Sequence, residues 1–269
     1  QERTAINTKI SIYGIIKNSF ADLKSAADKL SNLSNLNPLK VTSSDDKQVG
    51  ATASPTAAKG TYSIQVSQLA KAQSVAAPSV ATADTNVGTG SLTITLGSYD
   101  SGTNTFTNNA DKTPVTINIG TGQQTLEGIR QAINDSNAGV NASIINDGNG
   151  SRLVLTSKDT GAVNGFKLEV ADADGNNTDT AGLSRLAFDP TAAVGAGKNA
   201  SSLQVAQNAN FTINNLAVSK ASNTVTDAVQ GLTLNLKAVT TTAVNLEVGL
   251  DDTALKTTLD GFVAAYNKI

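Results

Sequence analysis

The chain of 269 residues contains no cysteine, histidine, methionine or tryptophan. Each absence removes a class of chemistry. Without histidine there is no Ser-His-Asp triad, no Cys-His dyad and no imidazole proton shuttle. Without cysteine or histidine, no ordinary zinc site, disulfide or iron–sulfur cluster can be assembled. Charge is also scarce: 16% of residues are charged, against a typical ~25%. Twenty Lys and Arg face 22 Asp and Glu, a net charge of -2, and residues 72–111 carry no Lys or Arg. Nucleic acid, which demands clustered cations, is therefore not an expected partner. No apolar run approaches the ~18–20 residues needed to cross a bilayer, so no membrane association is expected. The opening Gln1-Glu2-Arg3-Thr4 lacks a basic-then-apolar signal pattern and an initiator Met, and reads as an excised fragment of a longer protein.

What remains is rich in Thr, Asn, Ser, Ala and Gly, a composition that points to a binding or structural protein. Length alone argues for about two domains at roughly 150 residues each. The first thirty-odd residues are helical by pattern: Ile6, Ile10, Tyr13, Ile16, Phe20, Leu23, Ala27, Leu30 and Leu33 recur at spacings of three and four, with charged residues between them. Asn37-Pro38 ends that helix, because the residue before proline disfavours the α region. At the other end Asp251 and Asp252 precede Leu255, Leu259, Phe262, Tyr266 and Ile269 in a heptad-like, coiled-coil stripe. A helix with one apolar stripe must bury it, and the cheapest partner for each terminal helix is the other. Ile6, Ile10, Tyr13, Phe20, Leu255, Leu259, Phe262 and Tyr266 are the expected packing residues of this pair. The middle of the chain becomes an insertion between two antiparallel helices.

That middle reads as β. Alternation appears at Tyr62, Ile64 and Val66, at Leu92, Ile94 and Leu96, and at Val115, Ile117 and Ile119. One internal helix is expected after Thr125 as N-cap, with Leu126, Ile129 and Ile133 on one face. Val140, Ala142 and Ile144 lead through an Asp147-Gly148-Asn149-Gly150 hairpin turn into Leu153 and Leu155, and Phe166, Leu168 and Val170 follow. Residues 192–200 look like a connector. Beyond them lie the strands around Asn214-Asn215, a short helical turn over 224–229, and strands at Leu232–Leu236 and Val244–Val248.

No stretch makes a convincing catalytic, cofactor or metal site. Residues 172–179 resemble a calcium loop, but Gly175 falls fourth rather than sixth and Leu183 stands where an EF-hand has Glu. Gly120-Thr121-Gly122 precedes a helix but lacks the third glycine of a dinucleotide fingerprint. Asp45-Asp46 and Asp251-Asp252 are adjacent, unlike a glycosidase pair facing across a sugar. Tyr62, Tyr99 and Phe106 offer a carbohydrate platform only if the fold gathers them; as core and turn residues they are more simply explained. Neither enzyme activity nor a cofactor is expected. The uncharged, hydroxyl- and amide-rich insertion suits protein–protein contact.

Several segments together carry a resemblance. Residues 208–237, with Asn214-Asn215 at the centre, are similar to the IN motif of flagellins and hook-associated proteins, whose usual centre is Asn-Gly. Residues 125–157 resemble a matching unit upstream. Thr42-Ser43-Ser44-Asp45, Gly60-Thr61-Tyr62-Ser63-Ile64-Gln65-Val66 with Leu69-Ala70, and Phe262-Val263-Ala264-Ala265-Tyr266-Asn267 complete an order that resembles the flagellar filament-capping family (hook-associated protein 2, FliD) over nearly the whole chain. The resemblance implies an α+β fold. A helical leg domain from 1–37 plus 252–269 carries a β-rich head domain over 38–84 plus 200–251 with the IN motif, and 85–199 form a second head domain nested in the first. It implies a ring-like homo-oligomer at the distal tip of the extracellular flagellum, beside other hook-associated proteins. That ring retains exported flagellin and promotes its folding and polymerisation; the contact residues are unassigned. It also implies export by the flagellar type III pathway without a cleaved signal peptide. The open alternatives are another hook–filament junction protein or flagellin-like axial protein, and a surface adhesin binding host mucin or glycans.

Overall fold

The computed structural model describes residues 2–269; Gln1 and the side chain of Leu33, the last position of the expected apolar stripe, lie outside the described residues. The fold is α+β with helices at both ends. In chain order the elements are α1 (Glu2–Leu30), α2 (Leu33–Leu36), β1 (Leu39–Ser43), β2 (Val49–Ala53), β3 (Gly60–Gln68), β4 (Ser74–Ala76), β5 (Gly90–Asp100), β6 (Thr105–Asn108), β7 (Val115–Ile119), α3 (Leu126–Asp135), β8 (Val140–Asn146), β9 (Ser151–Ser157), β10 (Gly165–Asp172), β11 (Ser201–Gln204), β12 (Ala209–Ile213), β13 (Leu216–Lys220), β14 (Thr224–Val229), β15 (Leu232–Leu236), β16 (Val244–Leu250) and α4 (Asp252–Tyr266). Two compact units emerge rather than a string of domains. One comprises the chain up to Gln65, Thr212–Leu216 and Thr224–Ile269; the other comprises Val66–Phe211 and Ala217–Asn223.

The first unit holds the three terminal helices. Its three-stranded sheet has the order β14-β15-β2, and it contributes β1 and β16 to a five-stranded sheet of order β1-β16-β3-β12-β13. β16 pairs antiparallel with β1 from Leu39↔Leu250 to Ser43↔Leu246, and with β3 from Val244↔Ile64 to Val248↔Gly60. Val244, Leu246 and Val248 point inward while Asn245 and Glu247 are exposed, the period-2 alternation of a half-buried strand. Leu232 and Val248 meet Ala57 in a small core, flanked by Leu39, Val41, Ala53, Tyr62 and Val229.

The second unit carries the larger core. β5 is its hub: β10 pairs along Gly90–Gly97 of β5, β7 pairs along Gly90–Ile94, and β6 takes Gly97–Asp100. A second sheet runs β11-β4-β9-β8. Helix α3 places Leu126, Ile129 and Ile133 in the core, together with Leu92, Ile94, Phe166 and Leu168. The Phe166 and Phe188 rings lie 6.4 Å apart at 57°, a tilted geometry favoured by the ring quadrupoles. Burying this apolar surface is the unit's main source of stability. At the exit of the unit, Asn223 clamps Ala70: its Oδ1 accepts from the Ala70 N–H at 2.7 Å and its Nδ2 donates to the Ala70 carbonyl at 2.9 Å.

Two expectations change. Residues 224–229 are a strand, β14, not a helical turn. Thr224, Val225 and Thr226 are β-branched, and an irregular register between Val225 and Val229 against β15 hides the alternation. The large core also reaches beyond 85–199, drawing in Val75, Ala77, Val80 and Ala200, because β4 and β11 pair with each other and β4 with β9.

Candidate interaction surface

The terminal helices meet, and the expected stripe is covered only in part. A groove of about 440 Å³ between them is lined by Ser25 and Ala26 on α1 and by Gly261, Phe262, Ala264 and Ala265 on α4. Where the helices meet, Leu23, Ala26 and Leu30 on α1 and Leu255 and Phe262 on α4 are half-buried, and Ala265 is buried. Lys268 Nζ lies 3.5 Å from Asp22 Oδ2. Asp251 caps α4, its side chain accepting from the Ala254 N–H at 3.0 Å. Of the eight expected packing residues, Leu255 and Phe262 are half-buried; Ile6, Ile10, Tyr13, Phe20, Leu259 and Tyr266 are exposed. Length explains the exposure along α1. At 1.5 Å per residue, α1 with 29 residues runs about 44 Å and α4 with 15 about 22 Å, so α4 covers only the last turns of α1. The face of α1 from Ile6 to Phe20 is left bare, with Ile10 64% and Tyr13 72% exposed. An apolar face of that extent on a helix is the signature of an interaction surface.

The Asn214-Asn215 turn is built as its residues dictate. Both have positive φ, 48° and 68°, a conformation that asparagine tolerates better than other side chains. Asn214 also replaces a strand neighbour: its Oδ1 accepts from the Ser63 N–H and its own N–H donates to the Ser63 carbonyl, each at 2.8 Å.

The remaining candidate sites dissolve into local structure. In 172–179 the carboxylates cap backbone amides: Asp172 Oδ2 accepts from Ser184 N–H at 2.9 Å, Asp174 Oδ1 from Asn176 N–H at 2.8 Å, and Asp179 Oδ1 from Ala181 N–H at 3.0 Å. Asp174 and Asp179 close Asx turns, while Asp172 reaches across to Ser184. No group of three potential metal ligands occurs among the described residues. Gly120-Thr121-Gly122 makes a turn, Gln123 N–H donating to Gly120 O at 3.0 Å, and feeds the Thr125 N-cap, whose hydroxyl accepts from Gly128 N–H at 3.1 Å. Asp45 accepts from Lys47 N–H and Gln48 Nε2, while Asp46 pairs with Lys237 at 2.9 Å. Tyr99 and Phe106 face each other across β5 and β6, and Lys167 Nζ lies 5.8 Å from the Phe106 centroid. Tyr62 belongs to the other unit and donates its hydroxyl to Ala58 O.

Hydrogen bonds hold the carboxyls of Asp100, Glu127 and Asp147 low. The Arg152 guanidinium, donating to Asp147 at 2.5 Å, and then the Asn149 N–H hold the Asp147 carboxyl below its ordinary range. Arg130 does the same for Glu127 on the exposed face of α3, and the Gly102 N–H followed by the Thr103 hydroxyl for Asp100. These are solvated hydrogen-bonded pairs and turns, far from the poised acids and bases of a catalytic site. No described helix is long and apolar enough to cross a membrane.

Comparison with known proteins accounts for the whole arrangement. The family models for the flagellar hook-associated protein 2 N-terminus and C-terminus match residues 1–73 and 206–269, and the flagellin hook IN motif matches 91–159. The IN match thus covers the upstream unit 125–157, while 208–237 fall within the C-terminal model. B-type flagellar hook-associated protein 2 of Pseudomonas aeruginosa is 35% identical over 97% of this chain, which matches 54% of that relative. Flagellar hook-associated protein 2 of Escherichia coli (strain K12) is 35% identical over 84% of the chain, matching 44% of its length. The chain therefore spans about half the length of these curated relatives. The crystal structure of the flagellar cap protein FliD D1-D2-D3 domains from Escherichia coli superposes with a TM-score of 0.78 at 34% identity, covering 96% of this chain and 67% of that one. The D2-D3 structure from the same species is matched over its full length, at 35% identity and a TM-score of 0.66. Helices at both chain ends, the nested β-rich interior and these matches in one order place this chain in the flagellar hook-associated protein 2 (FliD) family.

Proposed function

We propose that the protein is a structural cap at the distal end of the bacterial flagellar filament, which retains exported flagellin and promotes its folding and polymerisation. The observation that carries this reading is a β-rich body bearing helices with an uncovered apolar face, in a chain of the FliD family. We further propose that Ile6, Ile10, Tyr13 and Phe20, with Leu259 and Tyr266, are covered in the assembled cap, a ring-like homo-oligomer seated among hook-associated proteins on the filament tip. In this division 1–37 plus 252–269 act as the leg, 38–84 plus 200–251 as the first head part, and 85–199 as the second. The role needs no catalysis or cofactor, and export by the flagellar type III route requires no cleaved signal peptide. A strain lacking the gene is expected to leak flagellin monomer into the medium and to build short or no filaments, both restored by the intact gene. Normal filaments without leakage overturn the reading.

A further inference from the structure

Cyclisation of an asparagine or aspartate side chain onto the following backbone nitrogen is easiest when the next residue is glycine, which does not shield that nitrogen. Five dipeptides of this kind occur: Asp147-Gly148, Asn149-Gly150, Asn164-Gly165, Asp174-Gly175 and Asp260-Gly261. Four are held shut. Asp147 is engaged by Arg152, and Gly148 N–H donates to Asn146 Oδ1 at 2.9 Å. Asn164 Nδ2 donates to Thr160 O at 2.7 Å, while Gly165 N–H donates to Ala162 O. Gly175 N–H donates to Asp172 O at 3.2 Å, and Asp174 Oδ1 accepts from Asn176 N–H. Asp260 sits inside α4 with its carboxylate on Lys256 Nζ.

Asn149-Gly150 is different. The Asn149 side chain is exposed in the β8–β9 turn and, among the described residues, makes no hydrogen bond; neither does the Gly150 N–H. The fold also fixes the glycine. Gly150 has φ +132°, and a Cβ there would stand 2.3 Å from the Val80 carbonyl oxygen. That close approach is imposed by the neighbouring bridge, in which Ser151 and Val80 exchange N–H to O bonds at 2.8 Å. The packing that closes the hairpin thus demands the residue that leaves Asn149 open to attack.

We propose that Asn149 is a site of spontaneous deamidation in the folded protein. Gly150 N attacks Asn149 Cγ; the N–Cγ bond forms, the Cγ–Nδ2 bond breaks, and the amide leaves as ammonia with the proton from Gly150 N. Water then opens the cyclic imide. Addition at the side-chain carbonyl yields aspartate; addition at the main-chain carbonyl yields isoaspartate, with one more methylene in the backbone. The net reaction consumes one water and releases one ammonia, without oxidant or reductant. Either product adds a carboxylate to the turn where Asp147 holds Arg152, whose Nη1 also donates to Ala77 O at 3.3 Å.

The test is incubation of the folded protein at mildly alkaline pH, followed by trypsin digestion and tandem mass spectrometry. Asn149 falls in the peptide 131–152 and Asn164 in 159–167, so each conversion reads separately. The expected result is loss of the Asn149 amide with a second, isobaric peak from isoaspartate. Asn164 keeps its amide in the folded protein and loses it only when the chain is incubated in denaturant. N149Q, whose side chain would have to close a larger ring, keeps its amide over the same period. An intact Asn149 in the folded protein after Asn164 has converted in denaturant overturns the proposal. So does parallel loss at both sites in the folded state.

Discussion

Gln73 is buried, yet its carboxamide is fully used: Nε2 donates to the Phe166 carbonyl at 2.8 Å and Oε1 accepts from the Phe166 N–H at 3.1 Å. One side chain thereby serves both backbone groups of a fully buried core residue. Removing it leaves a donor and an acceptor in the core without partners, each costing roughly 1–3 kcal/mol. Q73A is therefore expected to lower stability by about 2–4 kcal/mol in urea unfolding, more than an exposed substitution, which stays within about 0.5 kcal/mol. Asp147 makes a different prediction. Its folded pKa lies below the unfolded value of ~3.9, chiefly through Arg152. A depressed carboxylate contributes stability above the unfolded pKa and loses it as pH falls through the folded one. NMR titration should place Asp147 below the ordinary carboxylate range and return it upward in R152A.

Elements differ in how plainly the sequence announces them. The strands β3, β5, β7, β8, β9, β10, β12, β15 and β16 repeat apolar residues at period 2, and α3 announces itself through Thr125 and the Leu126, Ile129, Ile133 face; all are legible. Strands β4, β6 and β11 have only three or four residues each, too few for alternation to stand out; β4 and β6 form against the longer β9 and β5. The α1–α4 pair is legible only in part. Leu23, Leu30, Leu255 and Phe262 of the apolar stripes are half-buried, whereas Leu259 and Tyr266 face outward although the same spacing singles them out. This distinction is measurable. F262A, removing a half-buried ring, should cost about 1.5–2.5 kcal/mol, roughly half the ~3–5 kcal/mol of a fully buried aromatic. Y266A should leave the melting of this chain nearly unchanged, and a large loss for Y266A would mean α4 is rotated about its axis.

At the scale of the whole molecule, the terminal helices and the family order are legible from sequence, whereas the extent of the second unit is not. Its limits depend on the pairing of β4 with β11 and β9, partners separated by scores of residues. Burying a large core of its own, the second unit meets the requirement for independent folding. A fragment spanning 66–223 is expected to unfold cooperatively with dispersed NMR signals, and N223A, which breaks the clamp on Ala70, should lower its midpoint.

That clamp has a consequence for how the molecule can change over generations. Since Asn223 ties the exit of the insertion to Ala70 near its entry, the rest of the chain experiences the intervening stretch as a loop already closed. The entropy of closing a loop grows only logarithmically, about 0.6 kcal/mol for each doubling of its length. An insertion held at its neck can therefore expand, shrink or be exchanged with little entropic penalty to the body that carries it.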